Sequence, residues 1–391
     1  MKHKLIKVLF GLLICTLFIL GQAMPGTMAT AVQNETNNDA YAINIAVTSV
    51  GSDNIGAILT NMGYPWTEIS DTDLTDYEKI KDFDVIFANC SGGAYYYAED
   101  AAEPLQEFVQ NGGSLYASDF AFLYIAEAFP GHVDFYEPPR IGLEGDVEAE
   151  VIDAGLANYL DPADPPATID IFFNLASWVP VEGVAPTTTV YLTGDIEVYD
   201  FDAFDMDDFT RLVEDSPLTV SFKPYEDSAG TVIYTAFHNH AQIDDIGEKL
   251  LEYLVLIPQT SDLVDELLQF LKDAGYPLTQ TNINTINPGQ TSPMFSYILN
   301  QVGDLIFGIN WAGSELTLRV YKPDETLFAE VTGDSPPYMI EIKDAEPGIW
   351  RYTVTGVDVP SDNYPFVVAI GDTTIVLPGP GFSIFLPLII H

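Results

Sequence analysis

Basic residues are scarce in this chain: 14 Lys and Arg stand against 58 Asp and Glu in 391 residues, a formal net charge of −44. Three of those cations, Lys2, Lys4 and Lys7, precede the first apolar run. The remaining surface therefore repels polyanions, which excludes nucleic acid and anionic bilayers as partners. Cysteine is almost missing, with Cys15 and Cys90 alone. Cys15 lies inside the N-terminal apolar run, so one thiol is left outside it and no internal disulfide stabilises the fold. Long hydrophobic runs are absent as well. The N-terminal run, Val8–Gly21, has fourteen residues, short of the roughly 20 that cross a bilayer as a helix.

The chain does contain the makings of folded cores, since 47% of its residues are hydrophobic and 12% aromatic. Composition of this kind excludes wholesale disorder despite the charge. The basic start, apolar run and small residues at Ala29-Thr30-Ala31 read as an export signal over residues 1–31, with cleavage after Ala31. A secreted, extracellular or cell-surface location follows, with no stable membrane span after cleavage. Its acidic surface fits saline or calcium-rich surroundings, or specific binding of divalent cations.

A short polar linker (32–41) leads into alternating strand and helix patterns. Strands are predicted over 42–50, 66–70, 83–90 and 114–119, and helices over 54–62, 98–110 and 120–129. Such alternation with short links argues an α/β class and a flavodoxin-like, doubly wound parallel sheet. After Glu144 the pattern adds β segments, before "GTVIYTAF" (230–237) resumes the sheet. Helices are predicted over 246–256 and 263–274, and the polar run 278–293 reads as the boundary between domains. Beyond it, seven short strands separated by turns predict an all-β sandwich over 290–372. Trp311 and Trp350 read as its core anchors. An apolar, Pro-rich tail (373–391) ends the chain; Pro378, Pro380 and Pro387 prevent it from spanning a bilayer as one helix.

Chemistry in a parallel sheet gathers beyond the carboxyl ends of its strands. Three stretches fall there: Cys90-Ser91-Gly92-Gly93, Ser118-Asp119 and His238-Asn239-His240. A shared crevice is expected, with Cys90, Ser91, Gly92, Gly93, Ser118 and His240 around Asp119 and His238. Cys90 reads as a buried apolar residue or, with glycines offering N–H groups to an oxyanion, as a thiol that a histidine activates. Asp119 has three readings: a helix N-cap, an acid, base or nucleophile paired with His238, and a metal ligand with His238 and His240. An extended His-x-His would turn its two rings to opposite faces.

The order of these elements, the "NGGSLYASDFA" turn (111–121) and the late "VIYTAFHNH" (232–240) resemble the class I glutamine amidotransferase-like superfamily, in its trehalose-utilisation-like branch, over residues 42–257. The resemblance places Asp119 at the position of the nucleophilic cysteine, His238 at that of the histidine and His240 at that of the glutamate. It implies a frame without glutaminase chemistry, because a carboxylate is a poor attacker of amides and His238 lacks its orienting acid. The stretches "ELTLRVYKPDET", "SPPYMIEIKDAEPGIWRYTVTGVDVP" and "YPFVVAIG" resemble immunoglobulin-like and pre-peptidase-type β domains, which implies a non-catalytic module.

Two further stretches offer ligands. The loop 194–209 interleaves acids with aromatics, and Asp200, Asp202 and Asp205 are its candidate calcium ligands, although the spacing of an EF-hand is missing. A solvated acidic turn is the other reading. Tyr95, Tyr96 and Tyr97 read as a sugar platform or as packing at a helix start. No other cofactor is expected. Two functions stay open: a binding or interaction protein for an extracellular carbohydrate or protein ligand, and a hydrolase acting on a carbohydrate or ester through Asp119 and His238.

Overall fold

A computed structural model describes residues 43–136, 141–199, 210–225, 230–242 and 244–374. These divide into two compact units: the first comprises residues up to Glu150 with Thr168–Gly247, and the second Val151–Ala167 with residues from Glu248 onward. The export signal (1–31), the loop aspartates 200, 202 and 205, and residues 375–391 of the tail lie outside the described residues.

The first unit opens with a βα alternation. Its elements are β1 (Ile45–Thr48), α1 (Ile55–Asn61), β2 (Thr67–Ile69), α2 (Tyr77–Ile80), β3 (Val85–Ala88), α3 (Gly93–Gln110), β4 (Ser114–Ser118) and α4 (Phe122–Ala128). Strands follow: β5 (Val133–Phe135), β6 (Ile141–Gly142), β7 (Gly145–Val151), β8 (Thr168–Phe173), β9 (Val181–Val184), β10 (Thr189–Tyr199), β11 (Thr210–Phe222) and β12 (Val232–Thr235). The large sheet runs β2-β1-β3-β4-β12-β11-β10-β7-β8, with β6 on β10. Pairing is parallel from β2 to β12 and antiparallel from β11 outward through β10. The parallel strands β1, β3, β4 and β12 are buried at every position, as strands covered on both faces must be. Their registers align Ala88 with Ala117 and Ser118 with Thr235. The carboxyl ends of three adjacent strands therefore meet along one edge.

The second unit holds α5 (Ala154–Leu160), α6 (all but the first turn of Asp245–Asp273) and eight strands. The strands are β13 (Leu278–Ile286), β14 (Phe295–Leu299), β15 (Gly303–Trp311), β16 (Glu315–Tyr321), β17 (Leu327–Gly333), β18 (Tyr338–Ala345), β19 (Gly348–Asp358) and β20 (Tyr364–Asp372). Two antiparallel sheets, β13-β20-β15-β18 and β14-β19-β16-β17, enclose one apolar core that includes Trp311 and Trp350. Each indole N–H donates to a backbone carbonyl, of Ser314 and Glu346 respectively, so neither ring is buried with an unmet donor.

Three boundaries differ from the sequence reading. The helices predicted over 246–256 and 263–274 are one helix, α6, with Pro258 inside it. Proline removes one backbone bond, yet Leu250, Leu254, Leu267 and Leu271 are all buried along its length. The polar run at 278–293 is no linker over its first nine residues. It forms β13, paired with β20 from Leu278↔Gly371 to Ile286↔Tyr364. As the edge of its sheet, β13 tolerates polar residues, while Ile286 joins the sandwich core and Ile283 is buried on the opposite face. The sandwich thus begins at Leu278 rather than 290, and residues 151–167 and 248–257 belong to the second unit rather than to the α/β one.

Candidate functional site

Each candidate side chain owes its place to a strand end. Asp119 follows β4 directly and adopts φ 42°, the left-handed region that Asp tolerates better than most residues at a cost of about 1 kcal/mol. That backbone turns the chain from strand into the short 3₁₀ turn Asp119–Ala121. Neither this turn nor α4 carries a side-chain cap, so Asp119 is not the N-cap that its position suggested. The carboxylate faces the crevice instead.

There it meets His238. Nε2 of His238 lies 2.9 Å from Oδ2 of Asp119, at ion-pair distance but without the alignment of a hydrogen bond. The other ring nitrogen, Nδ1, is 2.6 Å from Oδ1 of Asn174. With the amide oxygen of Asn174 facing it, Nδ1 donates, and in the charged ring the Nε2 proton faces the Asp119 carboxylate. Burial disfavours the charged imidazole, but contact with Asp119 and the charges of Asp119 and Asp53 outweigh it, raising the His238 pKa. The thiol of Cys90 donates to the same Oδ2 of Asp119 at 3.4 Å. Burial, followed by the charge of Asp119, pushes the Cys90 pKa well above its ordinary value, so Cys90 is a thiol rather than a thiolate nucleophile. Cys90, Asp119 and His238 are only 1%, 3% and 2% exposed.

A second buried acid holds the histidine turn in place. Asp53, five residues beyond β1, is fully buried. It accepts from the Asn239 backbone N–H and Nδ2 (2.9 Å each), the His240 backbone N–H (3.1 Å) and His240 Nδ1 (2.9 Å). Burial by itself would raise its pKa; these donors and the charge of His238 reverse that and hold the carboxyl far below the usual range. Tyr116 clamps the turn from beneath, donating to Asn239 Oδ1 at 2.7 Å. The backbone curls into a 3₁₀ turn over Asn239–Ala241, so the rings of His238 and His240 stack with centroids 5.7 Å apart. They do not point to opposite faces, because the extended conformation stops at His238. His240 turns to Asp53, and its side chain is 40% exposed. The three-ligand group that the structure assembles is Cys90, Asp119 and His238, not Asp119 with both histidines.

The rest of the expected crevice divides in two. Ser118 Oγ accepts from the Cys90 backbone N–H at 3.1 Å and fixes the loop after β3. Ser91 turns away toward Asp71, with its Oγ 3.2 Å from Oδ1, and also accepts from the Gly93 N–H. A side chain at Gly93 would collide with the Asp71 carboxylate. Gly92 and Gly93 thus open α3 beside an acid, where no oxyanion would be welcome. In the first turn of α3, Tyr95 and Tyr96 stand edge to face, with planes 85° apart, so they form no flat platform.

Beside Asp119 and His238 runs a crevice of about 150 Å³, counting space open to solvent, that is too narrow to admit a water molecule. Phe173, Asn174, Leu175 and Trp178 form its other wall. Gln242 ties that wall to the histidine turn, donating to the carbonyls of Phe172 and His238 and accepting from the Phe172 N–H. Within the crevice, Asp119 Oδ1 is buried and has no partner. Sequence reasoning missed Asp53 and Asn174. Asp53 also follows a parallel strand, a position that flags it; nothing local marks Asn174, whose role arises from the packing of β8 against the turn after β12.

No family model and no curated protein matches this chain. Solved structures do resemble it. One is a protein described as ThuA-like from Bacteroides uniformis, at 15% identity, covering 57% of this chain and 94% of that one with a TM-score of 0.38. Another, described as a component of GMP synthase from Thermoplasma acidophilum, has 11% identity, covering 57% and 98% with a TM-score of 0.38. The pre-peptidase C-terminal domain of a Bacillus anthracis collagenase has 13% identity, covering 24% and 89% with a TM-score of 0.21.

Proposed function

We propose that this chain is an exported recognition protein: an amidotransferase-like, flavodoxin-like α/β domain without glutaminase chemistry, joined to an immunoglobulin-like sandwich that serves as an accessory module. The parallel strand order 2-1-3-4-12 supports the first assignment. A single observation carries the functional reading. At the elbow where such a frame would need a thiolate stands the buried carboxylate of Asp119, and the one nearby thiol, Cys90, is protonated against it. Amide hydrolysis has no attacker here. The crevice bounded by Asp119, His238 and Trp178 is the ligand site, and it must widen to take an extracellular ligand, a carbohydrate or a protein segment. The N-terminal signal and the acidic surface support export.

A second reading has its own support: the 2.9 Å approach of Asp119 to His238 on a left-handed elbow is the arrangement of hydrolases that form ester intermediates on an aspartate. One screen separates the readings. The mature protein and its Asp119→Asn variant are offered glutamine, a panel of esters and glycosides, and a glycan array. Ligand capture without turnover, weakened in the variant, supports recognition. Ester or glycoside turnover lost in the variant establishes the hydrolase. Ammonia released from glutamine and abolished by changing Asp119 or His238 overturns both. Export predicts a mature product beginning at Val32; full-length protein retained in the cytoplasm refutes it.

A further inference from the structure

We infer that Cys90, Asp119 and His238 form a binding site for a single transition-metal ion of the zinc type. The inference rests on the reading of the Asp119–His238 crevice as the working site of the α/β unit, and names what that site holds.

Three observations carry it. The first is proximity: Sγ, a carboxylate oxygen and an imidazole nitrogen from three different strand ends all lie within 4.8 Å of one another. In a tetrahedral site with metal–N and metal–O bonds of about 2.0 Å, those two ligand atoms stand about 3.3 Å apart. His238 Nε2 and Asp119 Oδ2 are 2.9 Å apart, so a separation of a few tenths of an ångström suffices. The second is unmet valence. Asp119 Oδ1 is buried with no hydrogen-bond partner, in a protein interior where nearly every such atom has one, and His238 Nε2 meets the other oxygen of the same carboxylate at 2.9 Å. Both belong to side chains more than nine-tenths buried. The third is the outer shell. Asn174 accepts from Nδ1 of His238, the arrangement that orients a metal-binding imidazole and presents the lone pair of Nε2.

The donor set selects the class of ion. Thiolate with imidazole favours zinc, or cobalt in its place, over magnesium and calcium, which take oxygen ligands. Binding displaces the thiol proton of Cys90 and any proton shared between His238 and Asp119, and both leave to solvent. Three protein ligands leave a fourth position, and the crevice beside Asp119 and His238 must widen before a further ligand atom fills it. His240 takes no part, since Asp53 holds it.

Cobalt tests this directly, because a Cys–Co(II) bond produces a near-ultraviolet charge-transfer band that surface carboxylates cannot mimic. The full mature chain, stripped with chelator and dialysed, is titrated with Co²⁺ and then with Zn²⁺. One equivalent of Co²⁺ should develop that band together with visible bands of tetrahedral intensity, and Zn²⁺ should displace them. In Cys90→Ser the charge-transfer band should vanish, and Asn174→Leu should weaken zinc binding by about 10- to 100-fold without losing the band. A folded wild-type chain that shows no charge-transfer band, or binds Co²⁺ equally well after Cys90→Ser, overturns the site. The wild-type spectrum decides the matter even if a variant misfolds. Failure here leaves the recognition reading standing, because the ligand and turnover screen needs no metal signal; failure of that screen leaves the cobalt spectrum unchanged.

Discussion

The two units bury different kinds of group. Along the strand ends of the first, Asp53, Cys90, Asp119 and His238 are all buried, and Asn239 lies among them. The sandwich core of the second consists of aliphatic and aromatic residues, and its buried acid, Asp372, is satisfied by Tyr297 Oη and the Thr374 N–H and hydroxyl. Burying ionisable groups is costly unless each is paired. A unit that concentrates them at one edge and leaves Asp119 Oδ1 unpartnered carries a cost that stability alone does not explain. The difference is one of kind: the α/β unit gathers buried ionisable groups at one sheet edge, whereas the sandwich core is built of apolar side chains.

Substitutions can break or sharpen that contrast. The largest effect is expected from Asp53→Ala, which strands four donors of the histidine turn; removing one partner of a buried charged network costs about 3–5 kcal/mol. Thermal melts should show the α/β unit destabilised and the sandwich unaffected. Equal loss in both units would dissolve the distinction. The same carboxyl sets an acid limit. Its pKa is lowered on folding, so its stabilisation is fully present above the unfolded-state value, near pH 4, and declines as the pH falls below that. Acid titration followed by near-ultraviolet circular dichroism should place the loss below about pH 4, and a loss centred near neutrality would contradict the Asp53 network.

Phe307→Ala comes next. It empties a fully buried position of the sandwich and should cost that unit about 3–5 kcal/mol, with ligand capture by the crevice unchanged. Altered capture would show that the sandwich does more than brace. A smaller effect is expected from Gly51→Ala, whose new methyl would collide with the Cys90 carbonyl and the Ser91 backbone. A cost of about 1–3 kcal/mol should come with a displaced Cys90 loop, read as faster reaction of its thiol with a maleimide. His240→Ala should have the least effect, about 1 kcal/mol, since its hydrogen bond to Asp53 is half in solvent. If it instead abolished ligand capture, the exposed ring would belong to the site.

Much of the architecture is visible in the linear pattern, and the exceptions share a cause. The apolar runs before Cys90, Asp119 and His238 place all three at strand ends, because parallel strands are buried on both faces and read as continuous apolar stretches. Local rules erred where packing overrode propensity. The two helices predicted over 246–256 and 263–274 are one, α6, with Pro258 inside it, and the Asn- and Thr-rich run after Pro277 reads as linker but pairs with β20 over its first nine residues. In the site, Asp119 looked like a cap because Asp at a helix start usually is one; the left-handed backbone turned its carboxylate to His238 instead. The orientation of His240 depended on Asp53, 187 residues away in sequence.

Sequence alone determined the charge, the single thiol beyond the N-terminal apolar run, the strand-end placement of three reactive groups and the change from mixed to all-β structure, since composition and periodicity are properties of consecutive residues. Tertiary structure decided which of those groups touch. Cys90, Asp119, Asn174 and His238 converge only because strand order and a 3₁₀ turn bring distant segments to one edge, and contact at hydrogen-bond range has no trace in a one-dimensional pattern.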